Sequence, residues 1–209
     1  MEADWSVALA ADDPVITVPW EACGEDPGKC RFVDLRRHPH LIDEIEEAKE
    51  RPPLRTALLL LNGASSPFWT AKCDTWAHGA DEGEALYDRY DMDAEPGETA
   101  FGAGAYIDLL ARDNAFFSSF ERQERWLRVV TEKLQATPAR AVRVELVLRP
   151  AEVEGVPGFA VTWFVEGCGA TPHSAGQGWG LALDLALAVM MEIGFDAQPA
   201  GDTMVETGE

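Results

Sequence analysis

Alternating hydrophobic and polar residues predict most of the strands in the chain. In residues 141–149 and again in residues 159–169, apolar side chains recur at every second position, which is the period of a strand with one buried face. The segment between them is rich in proline and glycine, so we predict that these two strands form a hairpin. Shorter alternating or apolar runs predict strands over residues 30–37, 68–78 and 104–111.

A helical spacing of hydrophobic residues lies between these strands. The hydrophobic residues of 41–48 predict a helix that ends before Pro52, and the apolar run after it predicts a buried helix that ends at Gly63, a common C-terminal stop. From Asp113, which is a suitable N-cap, a hydrophobic stripe predicts a longer helix that ends before Pro138.

The order of elements predicts an α+β fold. The sheet is expected to be antiparallel or mixed, with helices packed mainly on one face and a ferredoxin-like arrangement in the C-terminal half. Residues 178–194 are apolar almost all round, which is typical of a helix packed centrally against a sheet. We expect one domain over residues 1–209, frayed tails over about 1–14 and 197–209, and an exposed acidic loop over about 79–103.

The composition limits the classes of function. A formal net charge of −20 argues against direct binding to a nucleic-acid backbone, which requires a basic face that displaces counterions. High net charge also keeps proteins dispersed, while docking onto a basic partner and mimicry of nucleic acid stay open as sharper interpretations. No apolar run approaches the roughly 18 residues of a membrane span, and the N-terminus lacks a basic signal region. We therefore expect a cytoplasmic protein without membrane association.

The predicted strand 68–78 reads FWTAKCDTWAH and contains several side chains of the types found in active sites. Strict alternation puts one set of residues on one face: Phe68, Thr70, Lys72, Asp74, Trp76 and His78. Cys73 then lies on the other face from His78, so the two are not expected to form a nucleophilic pair. Two interpretations stay open for the polar face: it lines a pocket, or Lys72 and Asp74 form an ordinary surface pair.

Two further segments carry candidate binding residues. Arg143, Glu145 and Arg149 share one face of the predicted hairpin, where they form either a platform for an anionic ligand or a solvated sheet face with cross-strand ion pairs. His173 and Ser174 lie in a small-residue loop directly before the last helix, whose N-terminus favours anions; a plain connection is the alternative. No residue spacing matches a known metal or cofactor motif, so no metal and no cofactor is expected.

These features leave two functional hypotheses in the foreground. The first is a non-catalytic interaction or self-assembling protein, with a homo-oligomer or a protein partner expected. The alternative is a small-molecule-binding protein or an enzyme with a pocket near Lys72, Asp74, His78 and His173. In that pocket Asp74 would orient a base, His78 or His173 would act as the base, and Lys72 or Arg149 would hold an anion. Arg149 and Ser174 are the candidate ligand-binding residues, and the sequence leaves open whether the protein is an enzyme.

Overall fold

A mixed sheet of six strands is the centre of the molecule in the computed structural model, which describes residues 1–20, 31–79 and 100–195. Its strands are β1 (Glu2–Val7), β2 (Ile16–Val18), β3 (Phe68–His78), β4 (Phe101–Ala111), β5 (Val142–Val153) and β6 (Val156–Gly169). The order is β1-β5-β6-β4-β3, and β2 pairs with β5 beyond the end of β1. Strands β1 and β2 run parallel to β5, and all other pairs are antiparallel. The predicted α+β class is confirmed.

The helices pack mainly on one face of this sheet, as predicted. They are a 3₁₀ helix (Pro39–Glu44), α1 (Glu46–Glu50), α2 (Pro52–Asn62), α3 (Asn114–Phe117), α4 (Phe120–Gln135) and α5 (Pro172–Ile193). Buried residues of α2, α4 and α5 form one hydrophobic cluster with the inward side chains of the strands, including Leu146, Trp163 and Ile107. In the described ranges, no helix combines the length and the apolar character needed to cross a bilayer.

The C-terminal half has the predicted ferredoxin-like order of elements. Strand β4, helix α4, the β5–β6 hairpin and helix α5 follow one another as a β-α-β-β-α unit. Its strands lie in the order β4-β6-β5 and are all antiparallel to their neighbours. Strand β3, which precedes the unit in the chain, pairs with the outer edge of β4 and so completes a four-stranded antiparallel core.

Helix α5 lies unusually close to β6 because glycines face it. A Cβ atom built on Gly167 would lie 2.2 Å from the backbone nitrogen of Trp179 and 2.7 Å from the carbonyl carbon of Gly178. Contacts this short do not occur between real atoms, so only glycine allows the helix to rest directly on the strand. The N-terminus of α5 is fixed by a capping box, in which Thr171 accepts from the Ser174 amide and the Ser174 hydroxyl accepts from the Thr171 amide.

The N-terminal segment differs from its sequence prediction. Residues 1–14 were expected to form a frayed tail, but Glu2–Val7 pair with residues 143–148 of β5 as a parallel edge strand. Ala3 is buried and Trp5 packs against the main core. These two inward side chains and the backbone hydrogen bonds to β5 stabilise the strand. The other predicted tail, 197–209, lies outside the described residues, and a single domain over the whole chain stays a prediction.

The strand predicted over residues 30–37 is also wrong for its described part. Residues 31–37 contain no strand and end in a turn. The Arg36 guanidinium donates to both carboxylate oxygens of Asp34 at 2.8 Å, and the Arg36 amide donates to the same side chain. Arg36 also stacks 3.5 Å from the centre of the Trp69 ring. These local bonds satisfy the backbone and the charges without a neighbouring strand.

Smaller differences concern where elements begin and end. The helix predicted from Asp113 is two helices, because Ser119 caps α4 by accepting from the Arg122 amide after Asp113 has capped α3. The hairpin turn is tighter than predicted: Glu154 and Gly155, with φ of 51° and 81°, form a two-residue loop of the kind that favours positive φ. Of the predicted acidic loop 79–103, residues 80–99 lie outside the described part of the chain, and 101–103 belong to β4.

A β-bulge changes which residues of β3 share a face. Thr70 pairs with Leu109 and Cys73 pairs with Ile107, so Ala71 and Lys72 together lie opposite Asp108. The prediction of strict alternation through 68–78 is therefore wrong: Phe68 packs in the core on the helix side, together with Thr70, whereas Lys72, Asp74, Trp76 and His78 lie on the other side.

Candidate ligand-binding site

Polar residues from four neighbouring strands meet on the open face of the sheet, the face opposite helices α2, α4 and α5. Asp108 of β4 lies opposite Thr162 of β6, and Lys72 of β3 and Arg149 of β5 extend from the two outer strands of this group. The backbones of β3 and β5 are about 14 Å apart at normal strand spacing, a span that two long side chains bridge. All four residues line a cavity of about 980 Å³.

A buried carboxylate lies at the centre of this cavity floor. The Asp108 side chain is only 8% exposed, and its Oδ1 accepts a hydrogen bond of 2.7 Å from the Thr162 hydroxyl. Burial raises the pKa of Asp108 above the ordinary range for aspartate. The hydrogen bond from Thr162 and the positive charges of Arg149 and Lys72 lower the pKa again, but by less than burial raises it. The charged form of Asp108 is therefore less favourable here than in an exposed aspartate.

Lys72 and Tyr106 lie close enough on the same floor to shift each other's pKa. Partial burial lowers the pKa of Lys72, but the Tyr106 hydroxyl and the charges of Asp108 and Asp74 raise it more, so the net pKa shift is upward. Burial raises the pKa of Tyr106, and Lys72 offsets only part of that effect. Near neutral pH the pair is therefore an ammonium group beside an uncharged phenol, and both offer donors to a ligand.

Arg149 has a donor that no group in the described part of the chain accepts from. Its Nε atom is buried, and no acceptor lies within hydrogen-bonding distance of it among the residues that the structure describes. A guanidinium has donors and no acceptor, so its buried Nε–H group can be satisfied only by an acceptor. A buried donor without an acceptor costs about 1–3 kcal/mol, a cost that an anion bound in the cavity would remove.

The cavity walls come from the N-terminal part of the chain. Trp20 closes one side, where its indole nitrogen donates to the Ala71 carbonyl at 2.9 Å and its ring lies 5.8 Å from Lys72 Nζ. The 3₁₀ helix and α1 contribute carboxylates, several of which are paired with cations of the same region: Glu44 with Arg31, Glu46 with Lys49, and Asp43 with Arg55. This pairing reduces the negative potential that the wall would otherwise impose on the floor.

A second, smaller cavity of about 340 Å³ adjoins the first on the same face. Its lining residues are Trp76, His78, Arg143, Glu145, Phe164 and Glu166. Trp76 and His78 lie flat on β4 because glycines are beneath them: a Cβ on Gly104 would be 2.5 Å from the Trp76 ring, and one on Gly102 would be 2.9 Å from His78. Gly102 and Gly104 thus leave space for the rings of His78 and Trp76.

The structure brings together some of the sequence-predicted residues and separates others. Lys72, Asp74 and Arg149 all line the large cavity, while His78 lines the smaller one. Ser174 belongs to the capping box and contacts Gly169, at the end of β6. Arg149 pairs with Ala160, nine residues before Gly169, which corresponds to about 30 Å along the strand. His173, beside Ser174 and exposed, therefore lies far from the large cavity.

Cys73 faces the helix side of β3, as its position after the bulge requires. Burial, with the negative charges of Glu47, Asp74 and Asp108 adding to it, raises the pKa of Cys73 to about 12. The thiolate is therefore scarce at neutral pH, and Cys73 does not have the properties of a nucleophile.

Sequence reasoning missed most of the cavity floor. Tyr106, Asp108 and Thr162 were not candidates, although Asp108 is a charged residue inside the otherwise apolar run AYIDLLA. A single carboxylate in a buried strand is a signal that could have identified Asp108, since such a group is costly unless it has partners. Thr162 and Tyr106 carry no comparable signal, because threonine and tyrosine are ordinary strand residues.

Comparisons with known proteins give no relative from which the chemistry of the site could be inferred. No protein-family model, no curated protein and no solved structure matches the chain significantly. Within residues 1–20, 31–79 and 100–195, no three histidine, cysteine or carboxylate side chains are grouped closely enough to hold a metal ion.

Proposed function

We propose that the protein binds a small organic anion in the large cavity of the open sheet face. The observation that carries this proposal is the buried Arg149 Nε, which lacks an acceptor among the described residues and belongs to a side chain that lines the cavity. A carboxylate is the natural group to fill that place, because it matches the planar donor geometry of a guanidinium.

Other properties of the cavity support a ligand of this class. Lys72 adds a second positive charge, and the Tyr106 and Thr162 hydroxyls add polar groups that fix orientation. The volume of about 980 Å³ lies within the range of small-molecule sites, which combine apolar walls with a few convergent polar groups. Asp108 sets a limit on affinity, because its negative charge competes with the ligand for Arg149 and Lys72.

Titration with benzoate tests this function. In the wild-type protein the Nε–H signal of Arg149 should shift in ¹⁵N NMR as benzoate binds. Arg149→Met keeps most of the aliphatic stem but removes the charged donors, and should weaken benzoate binding at least about tenfold, the value of one charge-assisted hydrogen bond.

A matched control uses the same change elsewhere on the strand. Arg143 lies on the same strand and face but pairs with Glu2 and Asp4, at 3.6 and 3.9 Å, about 20 Å from Arg149. Arg143→Met changes the net charge equally and should leave the benzoate affinity within about twofold. Equal losses in the two variants, or no benzoate binding to the wild type at millimolar concentration, would contradict an anion site at Arg149.

A second candidate function, self-assembly through the open face, is favoured by the aromatic side chains on it. Trp76, Tyr106 and Phe164 are only half-buried there, and aromatic residues are enriched at protein interfaces. A homodimer should appear in sedimentation equilibrium at moderate salt, which screens the repulsion between two chains of charge −20. Trp76→Lys should yield a monomer, whereas Leu181→Lys, at an exposed apolar position on α5, should not. A wild type that is monomeric at every concentration tested would rule this candidate out.

A further inference from the structure

The Phe164 side chain lines both cavities of the open face. This ring lies in β6 between Thr162, on the floor of the large cavity, and Glu166, on the wall of the small one. Residues two apart on a strand point to the same face, so Thr162, Phe164 and Glu166 form a row about 13 Å long. The half-buried Phe164 ring therefore lies between the polar ends of the two cavities.

Two further rings extend Phe164 into an aromatic cluster on the open face. The Tyr106 ring lies 6.0 Å from the Phe164 ring and the Trp76 ring lies 6.4 Å from it, on neighbouring strands. Gly104, below Trp76, keeps that ring flat against the sheet. Both ring pairs are tilted and within contact range, and aromatic groups in such clusters favour contact with a further ring.

We infer that the two cavities form one groove, whose occupant is an elongated aromatic acid with at least two linked rings. The carboxylate lies at Arg149 and Lys72, the first ring lies in the large cavity, and the second ring lies over Phe164 toward Trp76. This inference rests on the proposed function, because it assumes the anion site at Arg149. The charge of that end and the aromatic character of the floor together favour an aryl acid over a short aliphatic one, which would leave the rings exposed to water.

Two acids and one alcohol separate the contribution of the carboxylate to binding from the contribution of the rings. Biphenyl-4-carboxylate carries two linked rings, benzoate carries one, and biphenyl-4-methanol carries both rings without the charge. In calorimetric titrations of the wild type, biphenyl-4-carboxylate should bind at least about tenfold more tightly than benzoate, since burial of one ring and its aromatic contacts exceed 1.4 kcal/mol. Biphenyl-4-methanol should bind at least about tenfold more weakly than its acid.

Phe164→Ala should remove the advantage of the second ring. It should weaken biphenyl-4-carboxylate about tenfold and change benzoate less than about twofold. The control is Phe159→Ala, another half-buried phenylalanine of β6 that packs against Phe120 on the helix side, and it should leave both affinities unchanged. Trp76→Ala, on the exposed part of β3, is a second test with the same expected pattern if Phe164→Ala folds poorly.

The binding of the two acids distinguishes the continuous groove from the anion site on which it depends. If benzoate binds in an Arg149-dependent way but biphenyl-4-carboxylate binds no better, the anion site stands and the continuous groove is overturned. The groove is likewise overturned if Phe164→Ala and Trp76→Ala leave the preference for two rings intact. If neither acid binds the wild type, both the groove and the proposed function fail.

Discussion

Gly167→Ala should lower the free energy of unfolding by about 3 kcal/mol, an upper value for adding one methyl group to a packed interface. The added Cβ would lie 2.2 Å from the backbone nitrogen of Trp179, and backbone atoms of a helix cannot move aside as a flexible side chain can. Helix α5 would have to move away from β6 and lose contacts along its length. Urea denaturation measures the effect as a lower midpoint with an unchanged slope.

Gly176→Ala is the matched control on the same helix. A Cβ at that position has no atom within 4 Å, and alanine is a better helix former than glycine by about 0.8–1 kcal/mol. The same substitution should therefore stabilise the protein at 176 and destabilise it at 167. A Gly167→Ala variant as stable as the wild type would show that α5 does not lie on β6 at the described distance.

Asp108→Asn should raise the free energy of unfolding near neutral pH by about 1–2 kcal/mol, because it replaces a buried carboxylate with a neutral group of the same shape. The asparagine carbonyl can still accept from Thr162. The pKa of Asp108 is raised in the folded state, so the carboxyl group binds its proton more tightly there than in the unfolded chain. The wild type therefore loses stability relative to the variant as the pH rises from the ordinary value of 3.8 through the raised pKa.

The pH dependence separates this cause from a change in packing. Below pH 3.8, the ordinary value of the group, Asp108 is protonated in both states, and the two proteins should be equally stable. At neutral pH the variant should also bind benzoate several-fold more tightly, because the charge that competes for Arg149 and Lys72 is gone. A stability difference that is constant with pH, or a weaker affinity for benzoate, would contradict the assignment of Asp108 as a buried carboxyl group in the anion site whose ionisation is opposed by burial.

Local patterns account for the parts of the fold that sequence predicted correctly. The β5–β6 hairpin and helix α5 follow from the period of their hydrophobic residues, which is set by the element itself. Strand β1 is different: its six residues include two carboxylates and one serine, and its position depends on pairing with residues 143–148. Such pairing over more than a hundred residues leaves no trace in the local pattern.

The candidate site depends on features of two kinds. Lys72, Asp74 and Arg149 were recognisable because charged residues in strands are conspicuous. Their neighbours were not, because the meeting of Lys72 with Asp108 and Arg149 requires the strand order β5-β6-β4-β3. The bulge at Ala71 and Lys72 added a second obstacle, since TAKC contains no glycine or other residue that marks an interruption.

The bulge in β3 also bears on how the protein avoids aggregation. Strand β3 is an edge of the sheet in the described part of the chain, and a long regular edge is a template for pairing with another molecule. Here the Phe68 carbonyl accepts from Arg112 and the Ala71 carbonyl accepts from Trp20, while the bulge interrupts the ladder between Thr70 and Cys73. An incoming strand would find a regular register only from Cys73 to His78, and there Asp74 places a charge on the edge that opposes pairing between identical chains.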